Sequence, residues 1–107
     1  MAQESPSITD ACEAYLQSLA QERYYDAHED LEALWFPRRF ENDDEVKLWK
    51  GFINAAVSFE LIKKGRCAAS QTPWNTYVKY RALLDALDTP YKELYVKMDN
   101  YIQNRRV

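Results

Sequence analysis

Asn42-Asp43-Asp44-Glu45-Val46-Lys47-Leu48-Trp49-Lys50-Gly51-Phe52-Ile53-Asn54-Ala55-Ala56-Val57-Ser58-Phe59-Glu60-Leu61-Ile62-Lys63-Lys64-Gly65 decides the fold. Its acidic start reads as a capping box, with Asn42 as the cap and Glu45 reaching back. Carboxylates there also suit the positive end of a helix dipole. Two lysines followed by Gly65 read as a helix stop. Between these signals Leu48, Trp49, Phe52, Ile53, Ala55, Ala56, Val57, Phe59 and Ile62 cover most of the helix circumference. A helix that is apolar nearly all round is a central one, packed by neighbours on several sides. Gly51, Ala55 and Ala56 leave room for a neighbouring backbone.

Four further helices flank it. The first spans 8–21, with Ser7 or Thr9 as N-cap and Ile8, Cys12, Tyr15, Leu16 and Leu19 on one stripe. The second is Tyr24-Tyr25-Asp26-Ala27-His28-Glu29-Asp30-Leu31-Glu32-Ala33-Leu34-Trp35, ended by Pro37. Thr72-Pro73 reads as a cap with proline at the first helical position, opening a helix that reaches about Leu87. Residues 66–71 fit either a separate turn or an extension of a helix. Thr89-Pro90 repeats the cap signal before a helix that sets Tyr91, Leu94, Tyr95, Met98, Tyr101 and Ile102 on one face. The expectation is an all-α, compact bundle of about five helices with the third helix central, residues 1–107 forming a single domain. Connections are short, so sequence neighbours should pack against each other.

Composition agrees. The 107 residues are 47% hydrophobic and 29% charged, which fits a soluble globular chain, and only 2 glycines argue against a turn-rich β fold. Eight Tyr, 4 Phe and 3 Trp supply a large core for a small domain. A net charge of −3 gives no reason to expect nucleic acid as a partner. The charge is uneven, with 12 acidic and 3 basic residues in 1–45 against 5 and 11 in 46–107. Acidic helices packed beside basic ones account for that. Cys12 and Cys67 lack metal-site or C-x-x-C spacing and read as core thiols in a reducing compartment. Residues 1–10 carry no basic start or apolar run, so no leader is expected. Every apolar run is interrupted by charge, so no membrane contact is expected and the cytoplasm is the default location.

The second helix holds the one histidine of the chain. His28 and Glu32 lie one turn apart, with Trp35 near the same line and Ala27, Leu31 and Leu34 to one side. Asp26, Asp30 and Ala33 face away. The His/Glu pair thus edges a buried stripe. Three roles fit it: a structural clamp onto the central helix, a contact for a ligand or partner, and acid/base or metal-assisted catalysis of a hydrolase type. The third would use His28 with Glu29 or Glu32. Without a second histidine no metal is expected, and no cofactor is implied. Tyr25, Trp35, Arg38, Lys50 and Asn54 border the same patch in this reading, and Glu60 falls within the apolar region of the central helix. The reading preferred here is a non-catalytic binding or interaction module, its partner a small ligand or a protein of unknown identity. The abundance of aromatics on few helices also fits a homo-oligomer.

Tyr25-x-Ala27-His28-Glu29-x-x-Glu32-x-x-Trp35, then Lys50-Gly51-Phe52-Ile53-Asn54-x-Ala56 and Lys64-Gly65, resemble the bacterial and archaeal domain-of-unknown-function family 309 over about 15–87. The resemblance implies an all-helical fold and no particular reaction. Lys50 and Asn54 stand where the family commonly has glutamine. Glu60 and Leu61 stand where many members carry an aromatic-His pair, and Lys64-Gly65-Arg66-Cys67 lacks the usual Gly-Asn.

Overall fold

A computed structural model describes residues 7–106. The reading of 1–10 as leaderless falls partly on residues 1–6, and there it lies outside the described residues. The regular structure of the described residues is all helical: α1 (Ile8–Ala20), α2 (Tyr24–Trp35), α3 (Asp44–Lys63), α4 (Cys67–Arg81) and α5 (Lys92–Arg105). Single 3-10 segments follow α2 (Phe36–Arg38) and α4 (Ala82–Ala86). α3 is central. It packs most extensively on α4 and then on α2, while α1 covers α2, and α5 closes one side against α1, α3 and the second 3-10 segment.

The chain begins and ends these helices for local reasons. Ser7 caps α1 by accepting the Asp10 amide at 3.0 Å. α3 is capped by Asp43, not Asn42. The Asp43 carboxylate accepts the Glu45 and Val46 amides at 2.8 and 3.3 Å. This register puts Val46, Leu48 and Trp49 inside, and each is at most 1% exposed. Glu45 does not reach back. Its carboxylate accepts the Tyr95 hydroxyl at 2.5 Å and the Thr89 hydroxyl at 2.9 Å, tying α3 to α5.

α4 starts at Cys67, so Thr72-Pro73 is not a helix start, and Pro73 sits buried inside the helix. Proline removes the hydrogen bond to the carbonyl four residues back. That residue is Ala69, which is exposed and can be solvated. The loss is therefore small, and the ring gains burial. Beyond Arg81 the chain tightens into 3-10 geometry instead of continuing as α-helix to Leu87.

Two helical hairpins use one turn. After α1, Gln21 (φ −91°, ψ 5°) is followed by Glu22 at φ 57° and Arg23 at φ −92°, ψ 71°. After α3, Lys64 (φ −83°, ψ 5°) is followed by Gly65 at φ 77° and Arg66 at φ −104°, ψ 58°. Both make the paired back-bonds of a Schellman stop, Glu22 to Leu19 (3.0 Å) with Arg23 to Ser18 (2.8 Å), and Gly65 to Ile62 (2.9 Å) with Arg66 to Leu61 (2.8 Å). The left-handed residue is glycine in one turn and glutamate in the other. Glu22→Gly should therefore raise stability by about 0.5–1 kcal/mol, read as a higher midpoint in urea at unchanged slope.

The core is built from aromatics whose polar atoms are all spoken for. Tyr15, Trp49, Phe52, Tyr77 and Tyr95 are each at most 1% exposed. Tyr15 donates to the Phe52 carbonyl at 2.7 Å, and the Trp49 indole donates to the Tyr95 hydroxyl at 2.9 Å. Tyr77 donates to the buried Asp99, whose carboxylate also receives Arg81 in a fork at 2.9 and 2.7 Å. At Gly51 the close approach expected from sequence is real. A Cβ there would lie 3.0 Å from the Tyr80 Cβ. Asp30, expected to face away, is half-buried against α1, where it accepts the Ser18 hydroxyl at 2.8 Å.

Candidate functional site

His28 sits on α2 where that helix runs antiparallel to the far half of α3. The antiparallel course is fixed at both ends: Tyr24 packs on Phe59 with ring centroids 5.4 Å apart, and Arg38 lies over Trp49 at 5.2 Å. Halfway up the first end, the imidazole meets a groove of about 230 Å³ lined by Tyr24, Tyr25, His28, Val57, Glu60, Leu61 and Lys64. Its floor is apolar. Two acid–base pairs flank it, each within one helix: His28 Nε2 to Glu32 Oε2 at 2.5 Å, and Lys64 Nζ to Glu60 Oε1 at 3.5 Å. The imidazole is 25% exposed, half shielded by the Tyr25 ring 5.7 Å away.

This geometry removes the clamp. The His28–Glu32 pair joins residues of the same helix, and among the described residues neither side chain makes a hydrogen bond or ion pair to α3. An i,i+4 pair of this kind contributes about 0.3–0.5 kcal/mol. Glu60 is not isolated in apolar surroundings either, because its carboxylate leans to the rim and meets Lys64.

The other sequence-derived candidates are distributed as follows. Tyr25 is 59% exposed and forms the lip of the groove. Glu32 belongs to the imidazole pair and also borders a shallow depression shared with Glu29, Ala33 and Phe36. Glu29 itself is exposed and lines that depression, not the groove. Trp35 is half-buried and packs on the core. Arg38 is held by Glu41 at 3.0–3.1 Å, a bond that raises its basicity further. Lys50 faces α4, its ammonium 5.8 Å from the Tyr80 ring, and Asn54 bonds back to the Lys50 carbonyl at 2.8 Å. The structure thus brings His28, Glu32 and Tyr25 together and places Lys50, Asn54 and Arg38 elsewhere. In their stead it supplies Val57, Leu61 and Lys64. The signal for these was the antiparallel α2–α3 pairing, which sets residues near 57–61 across from His28.

Cys12 is fully buried, and burial pushes its thiol up to about 12, with Glu45 and Glu13 adding to the effect. Cys67 is exposed at the start of α4, against its reading as a core thiol. Among the described residues no three His, Cys, Asp or Glu side chains gather closely enough to hold a metal ion. No helix among them is long and apolar enough to cross a membrane.

A family model described as "Domain of unknown function (DUF309)" matches residues 12–72, from the first turns of α1 into α4. No curated protein and no solved structure matches the chain. The match covers more than half of the sequence, including the whole of the His28 groove, and on that ground the chain belongs to the DUF309 family.

Proposed function

We propose that this protein is a binding module that receives one apolar side chain, or the apolar end of a small ligand, in the α2–α3 groove beside His28. The observation that carries this reading is the groove's form: an apolar floor of Tyr24, Val57 and Leu61 between the His28–Glu32 and Lys64–Glu60 pairs. Its size sets the occupant. A volume of 230 Å³ is below the ~300–1,000 Å³ usual for drug-sized ligands and cofactors, and suits a single ring or branched chain. The flanking pairs orient whatever polar group follows it.

The test uses p-cresol as a ring-sized probe. Titration into the ¹⁵N-labelled protein should shift the His28 and Tyr25 resonances saturably. Val57→Trp, which fills the groove from a half-buried position, should abolish those shifts while leaving the rest of the spectrum in place. Shifts that survive Val57→Trp, or none at all, would remove the reading. The 2.5 Å His28–Glu32 contact also fits a general base held by an orienting carboxylate. Esterase turnover of p-nitrophenyl acetate that His28→Ala abolishes and Glu32→Gln lowers would favour that hydrolase-like alternative.

A further inference from the structure

On the other side of Tyr24 lies a second cavity, of about 490 Å³, between the C-terminal ends of α3 and α5. Tyr24, Phe59 and Ile62 form its apolar wall, and Lys63, Arg105 and Arg106, together with Glu22 and Asn104, its polar one. Arg105 and Arg106 stand outside the stretch matched by the family model. Three cations converge on one concave surface, so what neutralises them is the first question.

Carboxylates do so only weakly. Among the described residues a single one approaches, Glu22, whose Oε1 is 3.7 Å from Arg105 Nη2. Lys63 donates instead to the backbone carbonyl of Glu22 at 2.9 Å, and Arg106 to the Ser58 hydroxyl at 2.9 Å. Arg105 reaches the Tyr24 hydroxyl at 3.3 Å. Ring faces take the rest of the contact: Arg106 lies 4.3 Å over Trp74, and Lys63 lies 5.8 Å from the Tyr24 ring. The contrast with Arg81 and Arg38 is sharp, since each of those has a carboxylate fork at 2.7–3.1 Å. Neutral acceptors and aromatic faces fix the position of a cation without cancelling its charge. They also leave most of its N–H groups free to donate.

We infer that this cavity is an anion site for a small molecule carrying a phosphate or carboxylate on a flat apolar body. The anionic group sits among Lys63, Arg105 and Arg106. The body lies along Tyr24, Phe59 and Ile62. The volume falls within the ordinary range for small-molecule sites, unlike that of the His28 groove. The two sites share only the Tyr24 ring, so either can exist without the other.

Phenyl phosphate is the probe, titrated into the full chain at low salt and followed by calorimetry and ¹⁵N spectra. Saturable binding with shifts at Tyr24, Lys63 and Arg106 is expected. Inorganic phosphate should bind about tenfold more weakly, because it lacks the ring. Arg105→Gln combined with Arg106→Gln should weaken phenyl phosphate about tenfold or more, since charge-assisted bonds are lost. Arg106 also steadies Trp74, so Lys63→Gln, at an exposed ammonium, supplies the independent arm and should weaken binding several-fold. Lys50→Gln, on the α4 side, should leave binding unchanged. Three results overturn the site: no saturable binding, equal affinity for inorganic phosphate, or indifference to both sets of substitutions. Cations that serve only the helix ends would give lower melting temperatures in the variants and no saturable binding in the native chain.

Discussion

Trp49→Ala should lower the unfolding free energy by about 3–5 kcal/mol, a large part of what a domain of this size has available. The indole is 1% exposed and sits where α3 meets α5 and the loop after α2. Truncation removes more than packing. Tyr95 loses the donor at 2.9 Å that its hydroxyl accepts, and Arg38 loses the ring 5.2 Å beneath it. The measurement is urea denaturation followed by circular dichroism, with the slope checked for constancy. Trp49→Phe separates the contributions. It keeps most of the volume and loses the indole N–H, so a cost near 1 kcal/mol is expected beyond the small change in size. A loss below about 1.5 kcal/mol for the alanine variant would mean that α5 does not depend on this contact.

Asp99→Ala is the second large effect, about 2–4 kcal/mol. Asp99 is 7% exposed and accepts from both Tyr77 and Arg81. Burial and the Asp99 carboxylate together raise the Tyr77 hydroxyl far above its ordinary range, so it stays a donor at any working pH. Without the carboxylate that buried hydroxyl keeps two donors, the Gln103 amide at 3.3 Å and the Arg81 guanidinium, and no acceptor for its own proton. Arg81, 37% exposed, can turn to water, which limits its share of the cost. The pairing is tested by a double-mutant cycle with Arg81→Met. The two substitutions together should cost clearly less than the sum of the singles. Strict additivity would show that the fork contributes nothing specific.

The ends of α1 and α3 were legible because they carry short-range signals. Ser7, Asp43-Asp44-Glu45 and Lys63-Lys64-Gly65 mark ends whose physics is confined to one turn of backbone. The central place of α3 followed from its apolar circumference. Errors arose where two residues compete for one local role and a distant contact decides. Asn42 and Asp43 can both cap, and the inward facing of Val46 selects Asp43. Glu45 is free for Tyr95 only because α5 arrives beside it, 50 residues later in sequence. Thr72-Pro73 looks like a start because proline is usually excluded from helix interiors, and Ala69's exposure removes that objection.

The candidate site was half legible. His28, Glu32 and Tyr25 share a helix, so periodicity alone brings them together. Lys50 and Asn54, expected at the patch, lie on the correct helix, but Lys50 meets Tyr80 of α4, because periodicity gives a helix's own stripe and not the neighbour or the offset it meets. Lys63 belongs to the lysine pair that marks the stop of α3, and Arg105 and Arg106 stand where α5 ends. That two such ends meet around Tyr24 depends on how α5 docks, and no pattern within either segment encodes it.

The shared turn of the two hairpins bears on how the chain reaches this state. Each closes over three residues between helices, so α1 with α2, and α3 with α4, find each other at little loop-closure entropy. The bonds that fasten α5, Trp49 to Tyr95 and Thr89 to Glu45, span 46 and 44 residues. Capture of the last helix is thus the step with the long search, and sequence changes in α5 should register in folding rate more than changes in either turn.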